Sequence, residues 1–210
     1  MSDFSLHLPG ILTILTVLAT ATMAVTGVIQ ALRHEYDPLG AGVLALITAV
    51  GGGTVRDLLL GATPVFWITD LIYISTVIPV VMVSYLFVRQ LRAGSGRRER
   101  ILNYIDAIGL ALFTLLGVQK SLGFDVHPLI AVMMGCITGT AGGILRDVLC
   151  GEKPVVLRQD LYATLSLAGG AIYLFLATVI PLQVAMLLSF GFIVLSRFWV
   201  IHRGIAQPSL

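Results

Sequence analysis

Gly51-Gly52-Gly53-Thr54-Val55-Arg56-Asp57-Leu58-Leu59-Leu60-Gly61-Ala62-Thr63-Pro64 returns ninety residues later as Ala141-Gly142-Gly143-Ile144-Leu145-Arg146-Asp147-Val148-Leu149-Cys150-Gly151-Glu152-Lys153-Pro154. The same ungapped shift lays Asp70 on Asp160, and ten of the twenty-one positions from 51 to 71 are identical. Upstream it pairs Gly27 with Gly117 and Pro38 with Pro128. A register that holds across several apolar segments marks an internal duplication.

Those segments are long enough to cross a bilayer. Of the 210 residues, 57% are hydrophobic and 11% charged, with a mean hydropathy of +0.97. A soluble domain carries roughly a quarter charged residues, and a membrane span takes about 20 apolar ones. Apolar windows predict seven spans, at Ile11 to Leu32, Pro38 to Leu60, Trp67 to Val88, Leu102 to Gln119, Pro128 to Leu149, Leu161 to Ile180 and Gln183 to Val200. Met1 to Gly10 holds no Lys or Arg, so the run that ends at Ala19-Thr20-Ala21 reads as the first helix and not as a signal peptide.

The expected fold is an all-α integral membrane protein, one domain over 1–210. A three-helix repeat (11–89) is followed by a second one (101–180) and a seventh helix (183–203). An odd number of spans per repeat makes the second copy enter the membrane from the opposite side, so the repeats are expected to be inverted. Five of the thirteen Lys and Arg residues, Arg89, Arg92, Arg97, Arg98 and Arg100, fall between the third and fourth spans. Basic loops stay cytoplasmic, which places the amino terminus outside the cytoplasm and the carboxyl terminus inside. With a net charge of +2 and its basic residues this local, the chain does not read as a nucleic-acid binder.

The candidate functional residues cluster at the duplicated motif. Gly51, Gly52 and Gly53 in the second span, and Gly139, Gly142 and Gly143 in the fifth, interrupt apolar helices at equivalent places. Each costs about 1 kcal/mol relative to alanine in a helix interior. One reading is a pair of broken helices whose freed carbonyls line a hydrated path. The other is close helix crossing over small residues. Arg56, Asp57, Arg146 and Asp147 follow these glycines, and charge at membrane depth faces a cavity or a partner. Adjacent helical residues point about 100° apart, so each Arg is expected to pair across helices. Asp70 and Asp160 are the candidate partners. Thr48, Thr54, Thr138 and Thr140 offer hydroxyls either to a monovalent cation or to their own helix carbonyls.

Lys120 ends the fourth span opposite the uncharged Gln30 of the first repeat, either as a gate or lipid contact or as an ordinary interfacial lysine. Asp106 is expected to cap the fourth helix. Cys136 and Cys150 lack any metal or redox spacing and read as free thiols, and the four histidines lack the spacing of a metal site. No nucleophile, base and stabiliser converge, so neither an enzyme nor a cofactor is expected.

Paired GGxxRD motifs, each followed by Gly and Pro in a 3+3+1 helix plan, resemble the bacterial branch of the trimeric intracellular cation channel family. That branch is also labelled a glycine-transporter family. The resemblance covers about Leu15 to Arg203. It implies a homotrimer in the bacterial inner membrane, surrounded by lipid, with a potassium-permeable pore in each protomer. The kinks would lie at Gly51 to Gly53 and Gly142-Gly143, with Thr54, Gly139 and Thr140 beside them. Arg56, Asp57, Arg146 and Asp147 would be pore-side charges, and Lys120 resembles a functional lysine of the family. A secondary transporter of a small solute such as glycine remains the alternative, and a membrane scaffold a further one.

Overall fold

The computed structural model describes residues 8–90, 95–158 and 161–204. Among them every regular element is helical: α1 (Leu8–Arg33), α2 (Pro38–Leu59), α3 (Phe66–Thr69), α4 (Ile72–Gln90), α5 (Ser95–Leu122), α6 (Pro128–Leu149), α7 (Val155–Arg158), α8 (Tyr162–Leu176) and α9 (Leu182–Arg203). Six of these, α1, α2, α4, α5, α6 and α9, are long and apolar enough to cross a membrane. The sixth expected span is the exception. α8 has 15 residues, roughly 22 Å of helix against a hydrocarbon core of about 30 Å. The third expected span divides into α3 and α4; the sixth contains α8 alone, with α7 just ahead of it as the counterpart of α3, so the duplication extends to the short helices. The fourth begins at Ser95, ahead of the expected Leu102, because its helix continues through the basic segment.

The duplicated motif writes the same local geometry twice. Pro38 and Pro128 open α2 and α6, where a missing N–H costs nothing. Asp37 accepts a bond from Gly40 N at 2.7 Å, and His127 Nδ1 accepts one from Leu129 N at 3.2 Å. At the other end Gly61 and Gly151 both take φ of +68°. The Ala62 N–H bonds Asp57 O and the Gly61 N–H bonds Leu58 O, with the same pattern at Glu152 and Gly151. This closing turn needs a left-handed residue, which explains glycine at both positions.

α2 and α6 run through their glycines without interruption, which corrects the expectation of broken helices. A side chain on Gly52 would collide with the Thr138 carbonyl, and one on Gly142 with the Thr48 carbonyl. Thr138 and Gly142 are the repeat counterparts of Thr48 and Gly52, so the two contacts are exchanged by a twofold relation. They also require α2 and α6 to cross antiparallel, as equivalent helices of inverted repeats must. The glycines thus serve close backbone approach. Breaking either helix there would leave polar groups stranded at membrane depth. Gly51 and Gly139 serve the same packing, Gly51 against Leu145 and Gly139 against Leu110 and Thr114 of α5.

The α1–α2 and α5–α6 hairpins close over small residues in matching fashion. A Cβ on Gly27 would lie 2.6 Å from the Ala45 backbone, and one on Gly117 2.9 Å from that of Gly135. α5 is the most enclosed span, with 67% of its apolar window buried, and α4 the least, with 11%. The charged clusters therefore gather around α2, α5 and α6 at the centre of the bundle.

Candidate functional site

Each RD motif lies one turn beyond the α2–α6 crossing, in the last turns of its helix. Arg56 donates from Nε and Nη2 to Asp57 Oδ1 at 2.9 and 2.7 Å. Arg146 donates from Nε to Asp147 Oδ1 at 2.9 Å. The other carboxylate oxygen, Oδ2, accepts the backbone N–H that opens the next short helix, from Phe66 at 3.1 Å and from Val155 at 2.9 Å. Each Asp thus ties its helix end to the loop that follows, and its own Arg neutralises it. The expectation that neither Arg pairs with its neighbour is corrected here. The Cα–Cβ bonds do diverge, but the arginine side chain is long enough to fold its guanidinium back onto the adjacent carboxylate.

Beyond this shared core the two sites differ. In the first repeat Lys120 Nζ reaches from α5 to Asp57 Oδ2 at 2.9 Å. The Lys120 side chain remains 34% exposed while Asp57 is buried. Both cations lie over the Phe66 ring, Arg56 at 5.6 Å and Lys120 at 5.4 Å. The ring also occupies the space at Gly53, where a Cβ would come within 2.5 Å of it. Trp67 Nε1 donates to Thr54 Oγ1 at 3.0 Å. One carboxylate here faces two cations.

In the second repeat Arg146 is fully buried. Its Nη1 donates to Asp106 Oδ1 at 2.8 Å and to Thr26 Oγ1 at 2.9 Å. The Tyr162 hydroxyl donates to Asp106 Oδ2. Arg197 of α9 stacks over the Tyr162 ring at 4.7 Å. Two carboxylates are thus balanced by two guanidinium groups, all of them buried. A buried ion group is tolerable only when its hydrogen bonds are nearly all satisfied.

Asp106 is therefore a buried ion-pair partner and not a helix cap, because α5 begins well before it. Asp70 is not an arginine partner; its Oδ1 accepts the Ile72 N–H at 2.9 Å and so caps α4. Asp160 lies outside the described residues. Thr48, Thr54, Thr138 and Thr140 each donate to the carbonyl four residues back, at 2.6 to 2.8 Å. Cys136 and Cys150 are free. No cluster that could hold a metal ion occurs among the described residues. Phe66, Tyr162, Arg197 and Thr26 escaped the sequence reading. For three of them the signal was a break in the repeat, since Tyr162 answers to Ile72, Phe66 to Val156 and Thr26 to Leu116, whereas Arg197 lies outside the duplication.

A second charged group surrounds the loop after α6. Glu152 accepts from His34 at 2.9 Å and faces Arg33 and Arg158 at 3.4 and 3.5 Å. Burial raises the Glu152 pKa, but His34, Gln30, Arg33 and Arg158 outweigh it and hold the carboxyl below the usual glutamate range.

A family model described as glycine transporter matches residues 13–89 and 103–178, the two repeats. A UPF0126 membrane protein of Vibrio cholerae is 47% identical over 77% of this chain, which spans 66% of that relative's length. The inner membrane protein YadS of Escherichia coli is 38% identical over 93% of this chain and 94% of its own. Among solved structures, the trimeric intracellular cation channel orthologue of Rhodobacter sphaeroides superposes with a TM-score of 0.87. It is 38% identical and covers 92% of this chain and 98% of its own. A prokaryotic channel of the same family, crystallised in 0.5 M KCl, superposes with a TM-score of 0.86 at 28% identity, covering 92% of this chain and 97% of its own. With both repeats matched in sequence and the whole bundle matched in structure, the chain belongs to the bacterial branch of the trimeric intracellular cation channel family.

Proposed function

We propose that this chain is a potassium-permeable channel for monovalent cations, assembled as a homotrimer in a bacterial inner membrane, with one path through each protomer beside the α2–α6 crossing. The observation that carries this reading is the pair of ion clusters placed just beyond the crossing on opposite sides. A tight backbone contact at Gly52 and Gly142, with Gly51 and Gly143 beside it, is flanked by Arg56–Asp57–Lys120 on one side and Asp106–Arg146–Asp147 on the other. Carboxylates neutralise the arginines, so the motifs do not simply repel cations. Lys120 is the exposed cation of the set and the group that a gating movement would displace from Asp57. Thr54, Gly53, Gly139 and Thr140 flank the same path. The solved relatives described as cation channels support the reading at the level of the fold.

Purified protein in planar bilayers under a potassium gradient should give discrete single-channel currents. Saturable flux without unitary currents would favour a carrier of a small solute such as glycine. Asp57→Ala and Asp147→Ala, compared per correctly assembled protein after size exclusion, should lose conductance where Glu99→Ala does not. If both Asp variants conduct like the parent, the path lies elsewhere. The proposed orientation is tested by Ser5→Cys and Ser95→Cys, which should react with an impermeant thiol reagent from opposite sides.

A further inference from the structure

We propose that Gly143 keeps open a binding site for one water molecule, held among Arg146 Nη2, Asp106 Oδ1 and Tyr162 Oη. Arg146 Nη2 is fully buried and has no hydrogen-bond partner among the described residues. The same guanidinium places its Nε on Asp147 and its Nη1 on Asp106 and Thr26. A buried charged donor left unmatched carries its full desolvation penalty, so native structures match such groups with water or an ion.

The space beside it is of the right kind. A Cβ on Gly143 would lie 3.6 Å from Arg146 Nη2, 3.6 Å from Asp106 Oδ1 and 3.8 Å from Tyr162 Oη. These are ordinary contact distances, so no collision demands glycine here, unlike at Gly52 or Gly142. What a methyl group would meet is three polar atoms. In the first repeat the corresponding space at Gly53 is filled by the Phe66 ring. One repeat is plugged dry at this glycine, and the other presents a donor and two acceptors.

Chemistry selects the occupant. A cation would face the Arg146 guanidinium, and an anion would face the carboxylates of Asp106 and Asp147. A neutral molecule that accepts from Nη2 and donates to Asp106 Oδ1 or Tyr162 Oη satisfies the set, and a water with three polar partners is a normal buried water. Tyr162 gives its own hydrogen to Asp106 Oδ2, which leaves its oxygen free to accept. This inference does not depend on the channel reading.

Two substitutions test it on the intact assembled protein. Gly143→Ala would displace the water without replacing its hydrogen bond, and should lower the thermal midpoint. Gly143→Ser supplies an oxygen in the same place, and its midpoint should return toward the parent. If the space is only an apolar gap, the order reverses, with alanine at or above the parent and serine no better, because alanine is the stronger helix former. A structure of the parent at a resolution that shows ordered water decides independently, even if neither variant assembles. A peak within hydrogen-bond distance of Arg146 Nη2 supports the proposal. A protein oxygen bonded directly to Nη2, or a bromide anomalous peak at the site after halide exchange, overturns it.

Discussion

The two RD motifs share a sequence, a helix-ending turn and an Arg–Asp pair, yet they reach opposite electrostatic ends. The motif of the first repeat leaves one buried carboxylate between Arg56 and a Lys120 that still touches solvent. The motif of the second repeat is enclosed, with Arg146 held by Asp106 and Asp147 and with Tyr162 closing the group from α8. Duplication supplied two identical frames; single residues on α5 and α8 then made one frame a partly exposed contact and the other an enclosed one. Residues outside the repeated motif thus decide what each copy does.

The largest expected effect tests the enclosed site. Arg146→Met leaves Asp106 and Asp147 buried without the guanidinium that bonds both and should cost about 3–5 kcal/mol of stability. It should be visible as loss of assembled protein on size exclusion and a lower thermal midpoint. Arg56→Met should cost less, because Lys120 still faces Asp57. Equal losses from the two substitutions would erase the contrast drawn above.

A smaller effect probes the symmetry itself. Gly52→Ala and Gly142→Ala press a methyl group onto reciprocal carbonyls of the α2–α6 crossing. Overpacking of this kind costs about 1–3 kcal/mol, offset in part by roughly 1 kcal/mol of helix propensity. The two midpoints should fall by similar amounts, and a large difference between them would show that the crossing is not a true twofold contact.

Smaller still is the stability change expected from Lys120→Met. Asp57 keeps Arg56 and the Phe66 N–H, and a partly exposed ion pair contributes about 0–1 kcal/mol. Conductance should change while the thermal midpoint barely moves. A collapse of the fold would place Lys120 among the structural residues.

The smallest effect lies at the Glu152 cluster, which has no counterpart in the first repeat because Ala62 stands there. The folded Glu152 pKa is depressed, so its contribution to stability is present above the ordinary glutamate value of about 4.3 and fades as pH falls through the lower folded value. Glu152→Gln should therefore lower the midpoint at neutral pH. The gap to the parent should close on acidification below that range, and a gap that widens instead would contradict the assignment.

The sequence alone determined the membrane class, the duplication and the inversion, because hydropathy and a fixed ninety-residue register are one-dimensional properties. It also singled out the glycines and charges of the duplicated motif, since these stand out against apolar helices. The tertiary structure alone decided what those residues do. Gly52 and Gly142 turned out to hold continuous helices together because their neighbours are carbonyls of the other repeat, far away in the chain. Asp106 became an ion-pair partner because α5 begins early and carries it to the depth of Arg146. Tyr162 entered the site because α8 folds its first residue back onto α5. Helix identity follows from local composition, but the partner of a buried charge is set by which helices cross at its depth, and no local pattern in the chain encodes that.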